Sequence, residues 1–326
     1  MANTLRMATT TAPPPQPAQH THPRSSVRRR SHALLVAVTA LAPLAWGTTY
    51  SVTTELLPPD HPLFAALMRS LPLGLLAVVI SRTLPRGDWW WKVAVLGILN
   101  IGAFFPLLFI AAERLPGGVA ATLGAAQPLI VAGLAVAVLS ESPSSWRLSW
   151  GIAGVVGVGL VVIGPGAGFD PIGIMAGLAS ALTMASGVTL TKRWGRPPGV
   201  GPLTLTGWLL SSGGLFLLPL VLLIEGTPGS VDPPALAGYL WLATVGGVIA
   251  YTLWFRGISR LPVSATALLG LLSPLVAALL GALLLGEVFT LIQVAGFGLA
   301  LAALVAGQFN PARTSSPAIS GSPGSS

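Results

Sequence analysis

The sequence contains no cysteine and few charged residues. With no cysteine, structural disulfides, thiolate metal sites and cysteine nucleophiles are excluded. Only 8% of the 326 residues are charged, whereas a soluble globular protein carries about 25%. Because 53% of the residues are hydrophobic, too little polar surface is left to cover a soluble fold. The composition therefore indicates an all-α membrane protein.

Acidic residues are scarcer than basic ones, and the formal net charge is +8. In a soluble protein such a balance would suggest nucleic-acid binding. Here, however, Lys and Arg lie in short segments between apolar runs, without a basic stripe and interleaved aromatic residues. This pattern is typical of loops that obey the positive-inside rule, and no nucleic-acid partner is expected.

Motifs for cofactors and catalysis are also missing. Gly154, Gly157 and Gly159 lie inside an apolar run, where glycines serve close helix packing rather than phosphate binding. There is no phosphate loop, and the four histidines have no metal-ligand spacing. Aspartate is absent from the apolar runs. We therefore expect no cofactor, no metal site and no catalytic residue.

Ten runs are apolar and about 20 residues long, which is the length that crosses a bilayer. One of them, near Pro62–Ser81, contains the single charge Arg69. The other nine are Ala33–Thr54, Val93–Ala112, Leu115–Ser140, Leu148–Phe169, Pro171–Thr191, Pro197–Ile224, Pro233–Phe255, Leu261–Gly286 and Val288–Ala312. Residues 1–32 and 309–326 are rich in Pro, Ser and basic or small residues, so two disordered tails are predicted.

The positive charges predict an orientation across the inner membrane with both termini in the cytoplasm. With the runs alternating in direction, fifteen Lys and Arg residues face the cytoplasm, Arg114 faces the other side, and Arg69 lies within a span. The fifteen are Arg6, Arg24, Arg28, Arg29, Arg30, Arg82, Arg86, Lys92, Arg147, Lys192, Arg193, Arg196, Arg256, Arg260 and Arg313.

An internal repeat relates the two halves. When residues 109–141 are shifted by 146 positions, thirteen of thirty-three residues are identical without a gap. The matches include Arg114 with Arg260, Pro128 with Pro274 and Glu141 with Glu287. Five spans per copy is an odd number, so the second copy must be inverted. We predict two inverted five-helix repeats, residues 33–165 and 171–308, an architecture typical of secondary transporters.

Several segments resemble the EamA-type permeases of the drug/metabolite transporter superfamily. They are residues 46–50 (WGTTY), residues 65–69 (AALMR) and the two Leu-Pro…Gly…Pro-Leu…Glu stretches that begin at Leu115 and Leu261. Residues 52–59 further resemble the branch of PecM-type pigment exporters. One departure is Ser140, where the second copy has Gly286. The resemblance implies ten helices, cytoplasmic termini and export of amino acids, related metabolites or toxic organic compounds.

Ten residues are predicted to bind the substrate. Arg69 leads because a buried guanidinium is costly unless it meets a polar interior; it could pair with Glu55, contact a substrate carboxylate or extend toward the headgroups. Prolines near the centres of the fourth and ninth spans would free backbone carbonyls. The aromatic candidates could equally form an interfacial belt. The set comprises Trp46, Thr49, Arg69, Asn100, Gln127, Pro128, Tyr251, Trp254, Ser273 and Pro274.

The function predicted from these features is secondary transport, with export of a small organic metabolite such as an amino acid, a pigment or a drug-like solute. Exchange or import is an alternative, and an intramembrane enzyme is a weaker one. The expected partners are a small-molecule substrate and the lipid bilayer. The substrate and the oligomeric state, including a homodimer, remain open.

Overall fold

A computed structural model describes residues 24–115, 123–141, 144–162, 170–285 and 290–309. Within these ranges every regular element is a helix. The predicted N-terminal tail lies outside them up to residue 23, and the chain is already helical from Arg24 rather than from Ala33. The predicted C-terminal tail lies outside them from residue 310, as does Glu287.

The first half contains six described helices. Two of them, α3 and α4, are joined by the π-helical turn Ile98–Gly102. The helices are α1 (Arg24–Leu56), α2 (Pro62–Ser81), α3 (Trp89–Gly97), α4 (Phe104–Arg114), α5 (Gln127–Leu139) and α6 (Ser145–Val162).

The second half contains seven described helices. Helix α8 ends in the π-helical turn Val221–Glu225, and α9 and α10 are joined by another, Thr244–Ile249. The helices are α7 (Pro171–Trp194), α8 (Pro202–Leu220), α9 (Pro233–Ala243), α10 (Ala250–Arg260), α11 (Val263–Leu269), α12 (Leu272–Leu285) and α13 (Leu291–Ala306).

Seven helical stretches are long and apolar enough to cross a membrane, so the described chain has the character of a multi-pass membrane protein. Three further apolar helices are shorter, namely Leu123–Leu139, Ser145–Val161 and Leu291–Ala306. The seven long stretches are Ser31–Thr53, Pro62–Ser81, Trp89–Ala111, Pro171–Trp194, Pro202–Glu225, Pro233–Arg260 and Val263–Leu280.

The starts of several helices follow from local sequence. Pro171 and Pro233 each occupy the first helical position, where the missing amide hydrogen costs nothing. The preceding Asp170 and Asp232 accept hydrogen bonds from backbone amides of the first turn. Thr290 forms a capping box with Gln293.

Polar contacts connect helices at both ends of the bundle. At one end, Arg114 donates to the Asp170 carboxylate at 3.2 Å. Burial alone would raise the pKa of the Asp170 carboxyl, but bonds from backbone amides and from Arg114 lower it. At the other end, Arg193 donates to the Val138 carbonyl at 3.0 Å and Lys192 to the Leu261 carbonyl at 2.8 Å. These contacts fasten α7 at its two ends.

The contacts between the halves follow a reciprocal pattern. Helix α1 packs on α10 and α12, and its counterpart α7 packs on α4 and α5. Helix α2 pairs with its counterpart α8, and α6 pairs with α13. Each of these contacts is thus reproduced when the two halves are exchanged. The candidate site lies between the two halves.

Candidate functional site

A cavity of about 250 Å³ lies between the two halves. Its volume is close to the lower end of the range for small-molecule sites. Nine of the ten predicted residues line it, and only Asn100 does not. The nine are Trp46, Thr49, Arg69, Gln127, Pro128, Tyr251, Trp254, Ser273 and Pro274. That these residues bind a substrate stays a prediction.

Arg69 is buried at the cavity wall, with 5% of its surface exposed. Its Nη2 donates to the Gly246 carbonyl at 3.1 Å, and its Nη1 lies 3.4 Å from the Thr49 hydroxyl. The guanidinium carbon lies 4.9 Å from the centroid of the Phe105 ring, which adds a cation–π contact. Glu55, considered as a partner for Arg69, has an exposed side chain instead. The structure thus directs Arg69 inward rather than toward the headgroups.

Helix α2 carries Arg69 and is held by the second half of the chain. The Glu225 carboxylate accepts hydrogen bonds from the backbone amides of Leu63 and Phe64 at 2.8 and 2.7 Å. Its negative charge neutralises the positive end of the helix dipole. Further along α2, a Cβ atom on Gly74 would lie 2.7 Å from the Ser211 amide nitrogen. Only glycine allows this approach, so the position of Arg69 is fixed by backbone packing.

Three aromatic rings form one wall of the cavity. Trp46 donates its Nε1–H to the Gly246 carbonyl at 2.9 Å, the same carbonyl that Arg69 uses. The Trp46 ring lies 5.0 Å from Tyr251 and 5.2 Å from Trp254, in tilted and edge-on geometries that aromatic pairs favour. Tyr251 and Trp254 are each only 1% exposed, so neither belongs to an interfacial belt.

The π-helical turns Ile98–Gly102 and Thr244–Ile249 begin at positions related by the 146-residue shift. Such turns interrupt the regular bonding of an α-helix and often occur at functional sites. In the second turn, the Gly246 carbonyl accepts Arg69 and Trp46. In the first, the equivalent residue is Asn100, whose carbonyl lies 3.4 Å from the Tyr251 hydroxyl. Each turn therefore offers a carbonyl to a residue of the cavity wall.

Asn100 is fully buried but does not reach the cavity. Its Nδ2 donates to the Leu96 carbonyl at 2.8 Å, one turn back in its own helix. The side chain also packs tightly on Gly187, where a Cβ atom would come within 2.5 Å of the amide. The contact with Tyr251 comes from the backbone carbonyl of Asn100, and the side chain packs between helices rather than facing the cavity.

The two cavity prolines lie at helix breaks. The stretch Val263–Leu285 turns at Gly270 and Leu271, and Pro274 is the third residue of the helix that resumes. The sequence analysis predicted Pro128 near the centre of a span. In the structure it lies instead in the first turn of α5, directly after a turn at Ala126. The first turn tolerates proline because its amides have no helical partner.

The repeat also identifies wall residues that the sequence analysis missed. Phe105 and Leu108 are equivalent to Tyr251 and Trp254 after the 146-residue shift, and all four line the cavity. Residues at the two helix breaks also line the cavity as equivalent pairs. The pairs are Gly124 and Gly270, Ala125 and Leu271, Gln127 and Ser273, and Pro128 and Pro274. The further lining residues are Thr53, Phe104, Phe109, Ser180, Ala181, Met184 and Ala267. These are mostly small or apolar residues without a chemical signature, and only repeat symmetry could have indicated some of them.

Known proteins resemble this chain in both of its halves. Residues 33–163 and 171–306 each match the EamA-like transporter family. Protein PecM from Dickeya dadantii is 46% identical over 81% of this chain and 89% of its own length. A probable amino-acid metabolite efflux pump from Salmonella typhimurium is 29% identical over 83% of this chain and 92% of its own length.

A solved crystal structure has the same fold, with a TM-score of 0.73 at 19% identity; the match covers 87% of this chain and 99% of that chain. Several relatives are named as transporters or as an efflux pump, and the resemblance predicted from the sequence is confirmed. Because the matches span both halves and most of the length, the chain belongs to the EamA-like transporter family.

Proposed function

We propose that this protein is a secondary transporter that exports a small organic metabolite across the inner membrane. Ten helices in two inverted five-helix repeats would alternate access to the central cavity, with both termini in the cytoplasm. The observation that carries this proposal is the cavity itself, which is lined by residues of both halves and includes six pairs of equivalent residues. A site at the interface of two inverted repeats can be exposed to either side when one half rocks against the other.

The reciprocal packing supports the same mechanism. Helix pairs α2–α8 and α6–α13 each join counterparts, so they lie where the two halves meet. The carbonyl of Gly246 in the second half holds Trp46 and Arg69 of the first, so a relative movement would reshape the cavity wall. Alternating access requires that movement of one half against the other changes the shape of the binding cavity.

Transport is expected to proceed without ATP, because the sequence has no phosphate loop. The purified protein is reconstituted in liposomes loaded with a panel of radiolabelled metabolites, and efflux is measured with no nucleotide present. At least one solute should leave faster than from protein-free liposomes, with saturation and stimulation by the same solute outside. A strict requirement for ATP would contradict secondary transport, and efflux without saturation or counterflow would indicate a channel instead.

The inverted arrangement predicts opposite faces for two equivalent residues. Glu141→Cys and Glu287→Cys are prepared separately, and the protein contributes no other thiol because it lacks cysteine. In intact cells a membrane-impermeant thiol reagent should label only the Glu287→Cys variant, and permeabilised cells should label both. The unmodified protein is the matched control and should stay unlabelled. Labelling of both variants from the same side would contradict the inverted repeats.

A further inference from the structure

The indole of Trp254 carries a hydrogen-bond donor for which the described residues provide no acceptor. Trp254 lines the cavity and is 1% exposed, yet its Nε1 has no hydrogen-bond partner among the described residues. By contrast, Trp46 and Trp208 donate to backbone carbonyls at 2.9 and 2.8 Å. A buried donor without a partner is unfavourable. Because the Nε1 atom is itself covered by its neighbours, a ligand in the cavity supplies the missing acceptor only if the surrounding side chains shift around it.

The charge of the cavity indicates which kind of acceptor this is. Arg69 is the single charged residue among the described residues that line it, and these include no Asp or Glu. A guanidinium forms its strongest hydrogen bonds with carboxylates and similar anions. A substrate ammonium would meet a like charge here and no carboxylate. The electrostatics therefore favour an anion and disfavour a cation.

The remaining walls accommodate an apolar body. Trp46, Tyr251 and Phe105 present aromatic surface, and the volume of about 250 Å³ suits a small molecule. We infer that the cavity selects small organic monoanions with a ring-sized apolar body, and that Arg69 and Trp254 donate to the same anionic group. It discriminates against zwitterionic amino acids and amines. This inference rests on the proposed function in one respect, that the cavity is the site through which the substrate passes.

A ligand series with one aromatic body and different charges tests the selectivity. Detergent-purified protein is titrated with phenylpropionate, its neutral amide, phenylalanine and phenethylamine, and the midpoint of thermal unfolding is followed. Phenylpropionate should stabilise at concentrations at least about tenfold lower than phenylalanine does, since the ammonium of phenylalanine would be buried without a carboxylate partner, and an unsatisfied buried charge costs at least about that factor. Phenethylamine should not stabilise. Equal or stronger stabilisation by phenylalanine or phenethylamine would overturn the inference.

Trp254→Phe removes the unused donor and keeps an aromatic ring. It should weaken phenylpropionate binding about tenfold. It should lower the thermal stability of the empty protein less than Trp208→Phe does, because both variants lose the same ring volume but only Trp208 loses a hydrogen bond to a described residue. Trp208→Phe is the matched control; it removes the bond to Thr83, so it should lower the stability but leave the affinity unchanged. Unchanged affinity in Trp254→Phe would remove Trp254 from the site.

The charge series uses the unmodified protein, so it gives an answer even if a variant does not fold. Binding in detergent is also independent of transport. If phenylpropionate binds with the expected selectivity but is never released from proteoliposomes, the proposed function fails while the anion site stands. If phenethylamine both binds and is transported, the transporter stands and the anion site fails.

Discussion

Replacement of Arg69 by alanine is expected to lower transport at least about tenfold. Hydrogen bonds to charged groups contribute about 1.5–3 kcal/mol, and about 1.4 kcal/mol corresponds to a factor of ten. The variant loses the positive charge of the cavity wall. It also loses the hydrogen bonds that the guanidinium donates to the Gly246 carbonyl and the Thr49 hydroxyl. Membrane abundance should fall far less than transport, because removing a buried charge also relieves its desolvation. Initial efflux rates from proteoliposomes, divided by the amount of reconstituted protein, provide the measurement.

Arg69→Lys should retain part of the activity, since it keeps the charge but cannot reach two acceptors in the planar geometry of a guanidinium. The matched control is Arg86→Ala. Arg86 is exposed in the loop between α2 and α3, and its loss should leave transport unchanged. Normal transport by Arg69→Ala would show that the arginine serves only the packing of α2.

Substitution of Gly157 by leucine should abolish accumulation of the folded protein. A Cβ atom at this position would lie 2.7 Å from the Ala300 amide nitrogen and 2.9 Å from the Gly296 carbonyl. Both are backbone atoms of α13, so the helices α6 and α13 would have to separate. Overpacking of this kind costs about 1–3 kcal/mol even in adaptable cores, and contacts between small residues hold membrane helices together. Fluorescence-detected size-exclusion chromatography of a tagged protein would report the loss.

Gly298→Ala supplies the control for that experiment. Gly298 lies on α13, two residues from Gly296, but a Cβ atom at Gly298 would meet nothing within 4 Å. Its chromatographic profile should match that of the unmodified protein. A monodisperse peak of normal height from Gly157→Leu would mean that the two helices do not approach each other closely.

Much of the candidate site could be predicted because its residues combine polarity with an apolar span. Arg69 was conspicuous as a charge in hydrocarbon, and the prolines were conspicuous as helix breakers. The repeat added Ser273 and Pro274 through their counterparts Gln127 and Pro128. In each case a local chemical conflict with the membrane marked the position.

Other features depended on geometry that one sequence does not carry. Asn100 has the polarity of a site residue, yet its amide bonds to Leu96 in the same helix, and no pattern reveals which way a buried amide turns. The unused donor of Trp254 was likewise invisible, because Trp46 has the same side chain and a satisfied donor. Ser140 is a milder case: its φ of 54° lies in the left-handed region, where glycine is the favoured residue.

The Gly246 carbonyl has a consequence for how this site evolves. A backbone oxygen is present whatever side chain occupies its residue, so ordinary point mutations do not delete the acceptor of Trp46 and Arg69. Even a methyl group at Gly246 would lie 3.4 Å from the Arg69 side chain, an ordinary contact. Covariation across homologues will therefore show no coupling between positions 69 and 246, and suppressors of Arg69 mutants will not arise by exchanging its acceptor. The position of this acceptor is set by the course of the main chain, and not by which side chain occupies position 246.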